Sequence, residues 1–187
     1  MVDATHLRSE AVTMRITWWS RFLRRVSIVL VFLTPVGLVW TWTHFDQVAA
    51  FLPATAGIPY DPANVTPLIR IGAFFLNMVP GVIAMYGFLQ LYRLFELFSI
   101  GRYFDADAIR RVRNFALTAL TYGIAAPLSR FLIGVLVSMS NPPGERVFLL
   151  RISSDDLVII FLSGVFFVIA GVWGKAKEIA DENAAIV

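Results

Sequence analysis

Four separated runs of about 20 mostly apolar residues constrain the fold of this chain more than any other feature. They cover residues 26–43, 71–91, 115–139 and 157–173. A helix needs about 20 such residues to cross the hydrocarbon of a bilayer, whereas a transmembrane β-strand alternates apolar and polar residues over about ten. Because the four runs do not alternate, they predict an all-α integral membrane protein, built as a four-helix transmembrane bundle.

The composition leaves too much apolar surface for a water-soluble domain. Apolar residues make up 58% of the 187 residues, and charged residues only 16%. Soluble domains are about 45–50% apolar and about a quarter charged. The first run is too long for the apolar core of a cleaved signal peptide, so residues 26–43 are predicted to remain as the first span.

Basic residues near the ends of the runs are distributed unequally between the two sides. Twelve lie on one side and three on the other, and a cytoplasmic excess of Lys and Arg sets the orientation of membrane proteins. The twelve are Arg8, Arg15, Arg21, Arg24, Arg25, Arg93, Arg102, Arg110, Arg111, Arg113, Lys175 and Lys177. We therefore predict a multi-pass protein of the cytoplasmic (inner) membrane, with both termini and the connection between the second and third spans in the cytoplasm.

The chain is predicted to form one transmembrane domain, residues 26–187, after a cytoplasmic tail. That tail, residues 1–25, is expected to become an interfacial helix near two tryptophans. The outer connection from residue 44 to 68 should be irregular, with one short helical turn around residues 47–52. In the second outer connection, residues 146–152 fit either a short strand or an apolar lip lying on the membrane, and residues 153–156 fit the cap of the fourth helix.

The connection between the second and third spans predicts a helical hairpin that extends into the cytoplasm. Gly101 is expected to end one helix and Asp105 to cap the next, with Phe104 and Ile109 as a hydrophobic staple. The residues predicted to dock a partner at this hairpin are Gly101, Arg102, Phe104, Arg110, Arg111 and Arg113. The arginines of this region are also explained by membrane topology alone, or by binding of anionic lipid.

Arg130 is the ionisable residue that lies deepest within a predicted span. An arginine at the bilayer centre costs about 3 kcal/mol or more, so a reason for its presence is expected. One interpretation is contact with a ligand or anion, or a switch. The other is an arginine that extends outward or pairs with Asp156 or Asp155 at the start of the fourth helix.

Prolines and small residues in the spans each allow two interpretations. Pro35, Pro80 and Pro127 fit ordinary kinks, or the broken helices of transporters. Small residues lie along one face of the third span and along the fourth, where helix backbones can approach closely. They are Ala116, Ala119, Gly123, Ala126, Ser163, Gly164, Ala170, Gly171 and Gly174. They fit packing inside the bundle, or the contact face of a homo-oligomer.

Catalytic and metal chemistry find little support in the sequence. The chain has no cysteine, and its two histidines, His6 and His44, fall on opposite sides of the predicted membrane. A histidine-based metal site or catalytic triad therefore cannot assemble within one chain. No glycine-rich phosphate loop and no nucleic-acid-binding motif occurs. We predict a protein that is not an enzyme, has no metal or cofactor, and does not bind nucleic acid directly.

Two segments resemble the bacterial membrane proteins grouped as domain of unknown function 2975. One is LFSIGRYF at residues 97–104, followed by IRRV at 109–112. The other opens with Asp156-Leu157 and ends with an Ala- and Glu-containing helix that closes on Ile186-Val187. The resemblance covers roughly residues 70–187. It implies a four-span bundle, and a cytoplasmic helix-turn-helix regulator encoded by a neighbouring gene as the partner.

Three functions follow from these features. The first is a non-enzymatic regulatory or scaffold protein that holds a cytoplasmic partner through the hairpin and the C-terminal helix. The second is a small-molecule transporter or ligand-binding membrane subunit, which requires a polar cavity that reaches Arg130. The third, a membrane enzyme or an assembly factor for one, requires a cluster of polar side chains at one depth, and the sequence supplies none.

Overall fold

The computed structural model describes residues 4–48, 51, 60–61 and 64–185. These residues contain five helices and no strand, which confirms the all-α prediction. The helices are α1 (Ala4–Thr43), α2 (Phe45–Val48), α3 (Pro67–Ser99), α4 (Ala106–Ser138) and α5 (Ser154–Ala185).

Four of these helices are long and apolar enough to cross a membrane. The qualifying segments are Met14–Thr43, Pro67–Ser99, Ala106–Ser138 and Ser154–Ala184. Each contains one of the predicted runs, apart from Met139, which follows the last residue of α4. At about 1.5 Å per residue the full helices are roughly 48–60 Å long, well beyond the ~30 Å of bilayer hydrocarbon. The boundary predicted between residues 25 and 26 falls inside α1, which continues through it without a break.

The four long helices form a row in which each packs extensively only against its neighbours in the chain. Helix α1 packs on α3, α3 on α4, and α4 on α5. The end of the row where α3 turns into α4, and where α1 begins and α5 ends, is called the hairpin end below. The opposite end, which holds the two long connections, is called the loop end.

Small residues allow the close approach of α4 and α5. A Cβ atom at Gly123 would lie 2.7 Å from Ile160 Cγ1, a distance at which the neighbour must move. Ser163 and Ala170 of α5 are buried in the same contact. The predicted packing within the bundle is therefore confirmed for these residues. In contrast, a Cβ added at Gly164 or Gly171 would meet no atom within 4 Å, so these glycines lie on the open face of α5.

Helix α5 uses one narrow seam for this contact. Its buried residues Asp156, Ser163 and Ala170 are spaced by seven, and Lys177, partly buried, continues the series. A seven-residue repeat keeps one stripe of a helix against its partner along its whole length. The flanks of this seam are exposed and apolar, as expected for a helix surrounded by lipid.

The proline in α3 is accommodated by a neighbouring helix. Pro80 has no N–H, so the carbonyl of Leu76, four residues earlier, loses its usual helical donor. The Ser129 hydroxyl of α4 donates to that carbonyl oxygen at 2.8 Å. A hydroxyl from an adjacent helix is the usual compensation in membrane helices. This contact supports the interpretation of Pro80 as a structural kink.

A core at the loop end ties α1 and α2 to α3 and α4. Its buried residues are Trp42, Phe45, Val65, Ala73, Ile133 and Val137. Arg70 covers this core, because it donates to both carboxylate oxygens of Asp46, at 3.1 and 2.7 Å, and its guanidinium lies over the Phe45 ring. The start of α3 is therefore fixed to α2, which follows α1 after one residue.

The two loop-end connections differ from their predictions in detail. Within the helical turn predicted around residues 47–52, Gln47 and Val48 belong to α2 and Phe51 has a 3-10 conformation, whereas residues 49–50 and 52–59 lie outside the described part. Residues 146–152 form no strand. Apolar side chains of this segment are exposed instead, as the alternative of an apolar lip requires. They are Phe148, Leu149, Leu150 and Ile152.

Candidate functional site

The hairpin turn has the fixed geometry that its sequence predicts. The N–H of Gly101 donates to the Phe98 carbonyl and the N–H of Arg102 to the Leu97 carbonyl, which is the Schellman arrangement. Gly101 has a φ of +80°, a conformation that favours glycine. The prediction that Gly101 ends this helix is confirmed.

Asp105 is the N-cap of α4, the second helix of the hairpin. Its side chain accepts a hydrogen bond from the N–H of Asp107 at 2.9 Å and pairs with Arg102. The backbone N–H of Asp107, assisted by the Arg102 guanidinium, holds the pKa of the Asp105 carboxyl below its usual value. The predicted N-cap is therefore confirmed. Arg102, which was predicted as a docking residue, also stabilises the turn through its ion pair with Asp105.

The three arginines at 110, 111 and 113 do not form one basic face. Arg110 pairs with Asp107 at 2.6 Å. Arg111 turns towards α3 and donates to Oε1 of Gln90, a side chain that is almost fully buried. Of these three, Arg113 is the one that is exposed and forms no ion pair with another described residue. The docking set predicted at the hairpin is therefore corrected at Arg111, which bonds the two hairpin helices together.

Helix α5 forms a third wall of the hairpin, which the sequence did not predict. The ring of Trp173 lies 5.9 Å from that of Phe98 and 6.1 Å from that of Phe104. Ile109 lies against Gly174 of α5, so the two predicted staple residues each meet α5. Leu94, Ala108 and Ala170 complete a buried cluster with Val112. The sequence contained one indication of this contact of α5 with the hairpin. The seven-residue spacing along α5 extends beyond the fourth apolar run to Lys177.

A second polar cluster fixes α1 beside the hairpin. Arg24 donates to the Tyr92 hydroxyl at 2.8 Å and pairs with Glu96 at the same distance. Its guanidinium also lies 4.9 Å from the centre of the Tyr92 ring. Arg24 was interpreted from the sequence as a topology signal, or as part of a basic cluster for anionic lipid or an acidic partner, and the structure shows that it also connects α1 to α3.

Arg130 and Asp156 form the ion pair that the sequence left as one of its alternatives. The Arg130 Nη2 lies 2.5 Å from Oδ2 of Asp156. The Asp156 side chain is 4% exposed and that of Arg130 24% exposed. The same carboxylate oxygen accepts hydrogen bonds from the N–H and the hydroxyl of Ser153, both at 2.8 Å. Ser153 and Asp156 therefore form a capping box at the start of α5, and Arg130 neutralises its charge.

A cavity of about 450 Å³ lies beside this pair. Its wall contains Arg130 and Asp156 together with Tyr122, Arg151, Ser153, Asp155 and Ile159. Arg151 and Asp155 are exposed, and neither forms an ion pair with another described residue. The cavity can accept hydrogen bonds, donate them, and offer one charge of each sign.

A family match that covers both the hairpin and the loop-end cavity identifies the family of this chain. The family model described as "Protein of unknown function (DUF2975)" matches residues 58–187, more than two thirds of the chain. The chain belongs to the DUF2975 family. This confirms the resemblance inferred from residues 70–187, and the match begins earlier. No curated protein and no solved structure matches the chain.

The DUF2975 match places the hairpin and the Arg130–Asp156 pair in one family region. Helix α1, including Arg24, lies before it. Among the residues described here, no group of three or more His, Cys, Asp or Glu side chains could hold a metal ion. The two candidate sites of this DUF2975 protein are therefore a docking surface at the hairpin end and a polar cavity at the loop end.

Proposed function

We propose that this DUF2975 protein is a non-enzymatic, multi-pass protein of the cytoplasmic (inner) membrane that holds a cytoplasmic partner at its hairpin end. By the family resemblance, the proposed partner is a small helix-turn-helix transcriptional regulator. The protein itself is proposed to contact lipid and partner, with no direct contact to nucleic acid. Release of the regulator from the membrane would be the regulated event.

The distribution of basic residues supports a cytoplasmic hairpin end. Because the chain has no cysteine, single introduced cysteines report the side directly. A cysteine at Arg113 should be protected from an impermeant maleimide in intact cells and react after permeabilisation. A cysteine at Phe148, at the loop end, should react in intact cells. The reverse pattern would contradict the proposed orientation.

The observation that carries the docking proposal is a pair of exposed apolar side chains on a fixed turn. Ile100 is 64% exposed and Phe104 is 71% exposed. The Schellman turn, the Asp105 cap and the Trp173 contact hold them in place, so little conformational entropy is lost when a partner covers them. In water, apolar side chains presented together on a rigid surface are typical of protein contacts.

The charged side chains of the hairpin favour one kind of partner surface at this apolar contact. Arg102 and Arg110 are already paired within the hairpin, whereas Arg113 is exposed beside it. The hairpin therefore offers two exposed apolar side chains at its turn and, further along its two helices, the guanidinium groups of Arg93 and Arg113, which form no ion pair with another described residue. It suits a partner that presents an apolar contact flanked by a carboxylate.

A matched pair of phenylalanine variants tests this proposal. Phe104→Ser should reduce co-purification of the neighbouring gene's regulator in mild detergent by tenfold or more, since a contact residue near the centre contributes about 2 kcal/mol. Phe148→Ser removes a ring of similar exposure, 67%, at the opposite end and should leave it unchanged. If the regulator stays soluble whether or not this chain is present, the proposed partner is wrong.

A second function is favoured by the cavity at the loop end. A ligand-binding membrane subunit requires a polar cavity that reaches Arg130, and the cavity of about 450 Å³ does so. Its volume is within the range of small-molecule sites. We therefore propose ligand binding at the loop end as an alternative, or an addition, to docking at the hairpin end.

A further inference from the structure

Four charged side chains line the loop-end cavity. Two of them form an ion pair with each other, and the other two have no ionic partner among the described residues. Arg130 and Asp156 neutralise each other at 2.5 Å. Arg151 and Asp155 line the same cavity, yet they are not within ion-pair distance of each other or of another described residue. The cavity therefore presents one free guanidinium and one free carboxylate to whatever occupies it.

An apolar groove adjoins this cavity and runs between the helices. It lies where α3, α4 and α5 meet, has a volume of about 360 Å³, and shares Tyr122 and Ile159 with the polar cavity. Its wall is formed by side chains such as Phe88, Phe115 and Phe166. A neighbouring groove between α1 and α3 also includes Tyr122 and Phe88. The polar cavity and the two apolar grooves thus adjoin at the side chain of Tyr122.

The irregular connection before α5 determines the level of the cavity in the proposed membrane. Residues 146–152 have no regular secondary structure, and such a backbone is not stable in hydrocarbon because its N–H groups would lack acceptors. The segment also carries exposed apolar side chains, those of Phe148, Leu149, Leu150 and Ile152. Because these side chains disfavour bulk water, this segment fits the lipid headgroup region, and Ser153 follows it directly. Asp156 bonds to Ser153 and to Arg130, so the polar cavity lies at headgroup level and the groove points into the hydrocarbon.

We propose that this site holds a phospholipid with a zwitterionic phosphoethanolamine headgroup. The phosphate accepts hydrogen bonds from Arg151, the primary ammonium donates to Asp155, and an acyl chain lies in the groove past Tyr122 and Ile159. This inference rests on the second proposed function, ligand binding at the loop end.

The charge arrangement selects this headgroup over other phospholipids. A singly anionic headgroup would pair with Arg151 and leave Asp155 facing a negative charge. A phosphocholine headgroup has the right charges, but its quaternary ammonium has no N–H to donate to a carboxylate. Phosphoethanolamine provides both the acceptor and the donor.

Native mass spectrometry of the delipidated full chain tests the proposal with defined synthetic lipids. Phosphatidylethanolamine should bind about fivefold more tightly than phosphatidylcholine or phosphatidylglycerol, which corresponds to one partly exposed charged pair. Asp155→Asn should remove the preference for phosphatidylethanolamine over phosphatidylcholine. Arg151→Gln should weaken the binding of all three lipids. Both residues are exposed, so these variants are expected to fold. Glu145→Gln and Arg146→Gln, in the same connection but outside the cavity wall, are the matched controls.

The outcomes separate the inference from the function on which it rests. Equal or tighter binding of phosphatidylglycerol overturns the headgroup assignment but retains a lipid site. Binding that none of the cavity variants alters, or no retained lipid, overturns the lipid site but leaves binding of a soluble ligand by the cavity untouched. Glycerophosphoethanolamine, the headgroup without chains, should not compete at concentrations where the lipid saturates. Competition at equal concentration would overturn the role of the groove.

Discussion

Arg130→Leu is expected to lower the free energy of unfolding by about 3 kcal/mol, and Arg130→Leu/Asp156→Asn should recover most of that loss. The single variant leaves the Asp156 carboxylate, 4% exposed, without its counter-charge. Removing one partner of a buried pair costs more than removing both, because it leaves an uncompensated charge. Asparagine keeps an oxygen that accepts the N–H of Ser153, so the double variant preserves the start of α5. Reversible unfolding in mixed micelles measures both values.

The Arg110–Asp107 pair supplies the comparison for this experiment. It has similar geometry, at 2.6 Å, but both side chains are about half exposed. Arg110→Leu should therefore change stability by less than about 1 kcal/mol. If Arg130→Leu unfolds like the unmodified protein, Arg130 does not stabilise α5, and the ion pair has no structural importance.

Gly123→Leu is expected to destabilise the protein by about 2–3 kcal/mol, with the loss located at the contact between α4 and α5. Even the first side-chain carbon would lie 2.7 Å from Ile160 Cγ1 and 3.5 Å from Ile159 Cγ2. Overpacking a close helix contact forces backbone shifts that cost about 1–3 kcal/mol. Helix α5 packs extensively only on α4, so it has no other surface to which it can transfer this contact. Unfolding in mixed micelles gives the magnitude, and protease accessibility of α5 gives the location.

Gly164→Leu provides a control within the same pair of helices. A Cβ there meets nothing within 4 Å, so this substitution adds apolar volume without a clash. Its stability should lie within about 0.5 kcal/mol of the unmodified protein. Equal losses for the two variants would show that Gly123 is not needed for close approach.

The sequence predicts the helices well because their signals are local. Apolar length defined the four spans, and glycine at 101 followed by aspartate at 105 defined the hairpin turn, since each feature depends on a few adjacent residues. The order in which the helices pack was not available from the same patterns. Nothing in the apolar runs distinguishes a helix with one partner, such as α5, from a central helix with two, such as α4.

The candidate sites were predictable only where one residue stood out chemically. Arg130 did, because a charge in an apolar run requires an explanation, and Asp156 was among the partners named for it. Arg111 did not, because its inward contact depends on Gln90, which lies 21 residues away on another helix. The loop-end cavity depends on Arg151 and Asp155 meeting Tyr122 of α4, and no pattern along the chain encodes that meeting.

The packing order has a consequence for biosynthesis. Every long helix after α1 leaves the ribosome when the helix against which it packs has already been made. No long helix must wait for a distant part of the chain, because each extensive contact joins two long helices that follow one another in the sequence, and such local contacts favour rapid assembly. Helix α5 is the last of the four long helices to emerge and packs extensively on α4 alone, so its assembly consists of the docking of one helix along the seam of Asp156, Ser163 and Ala170.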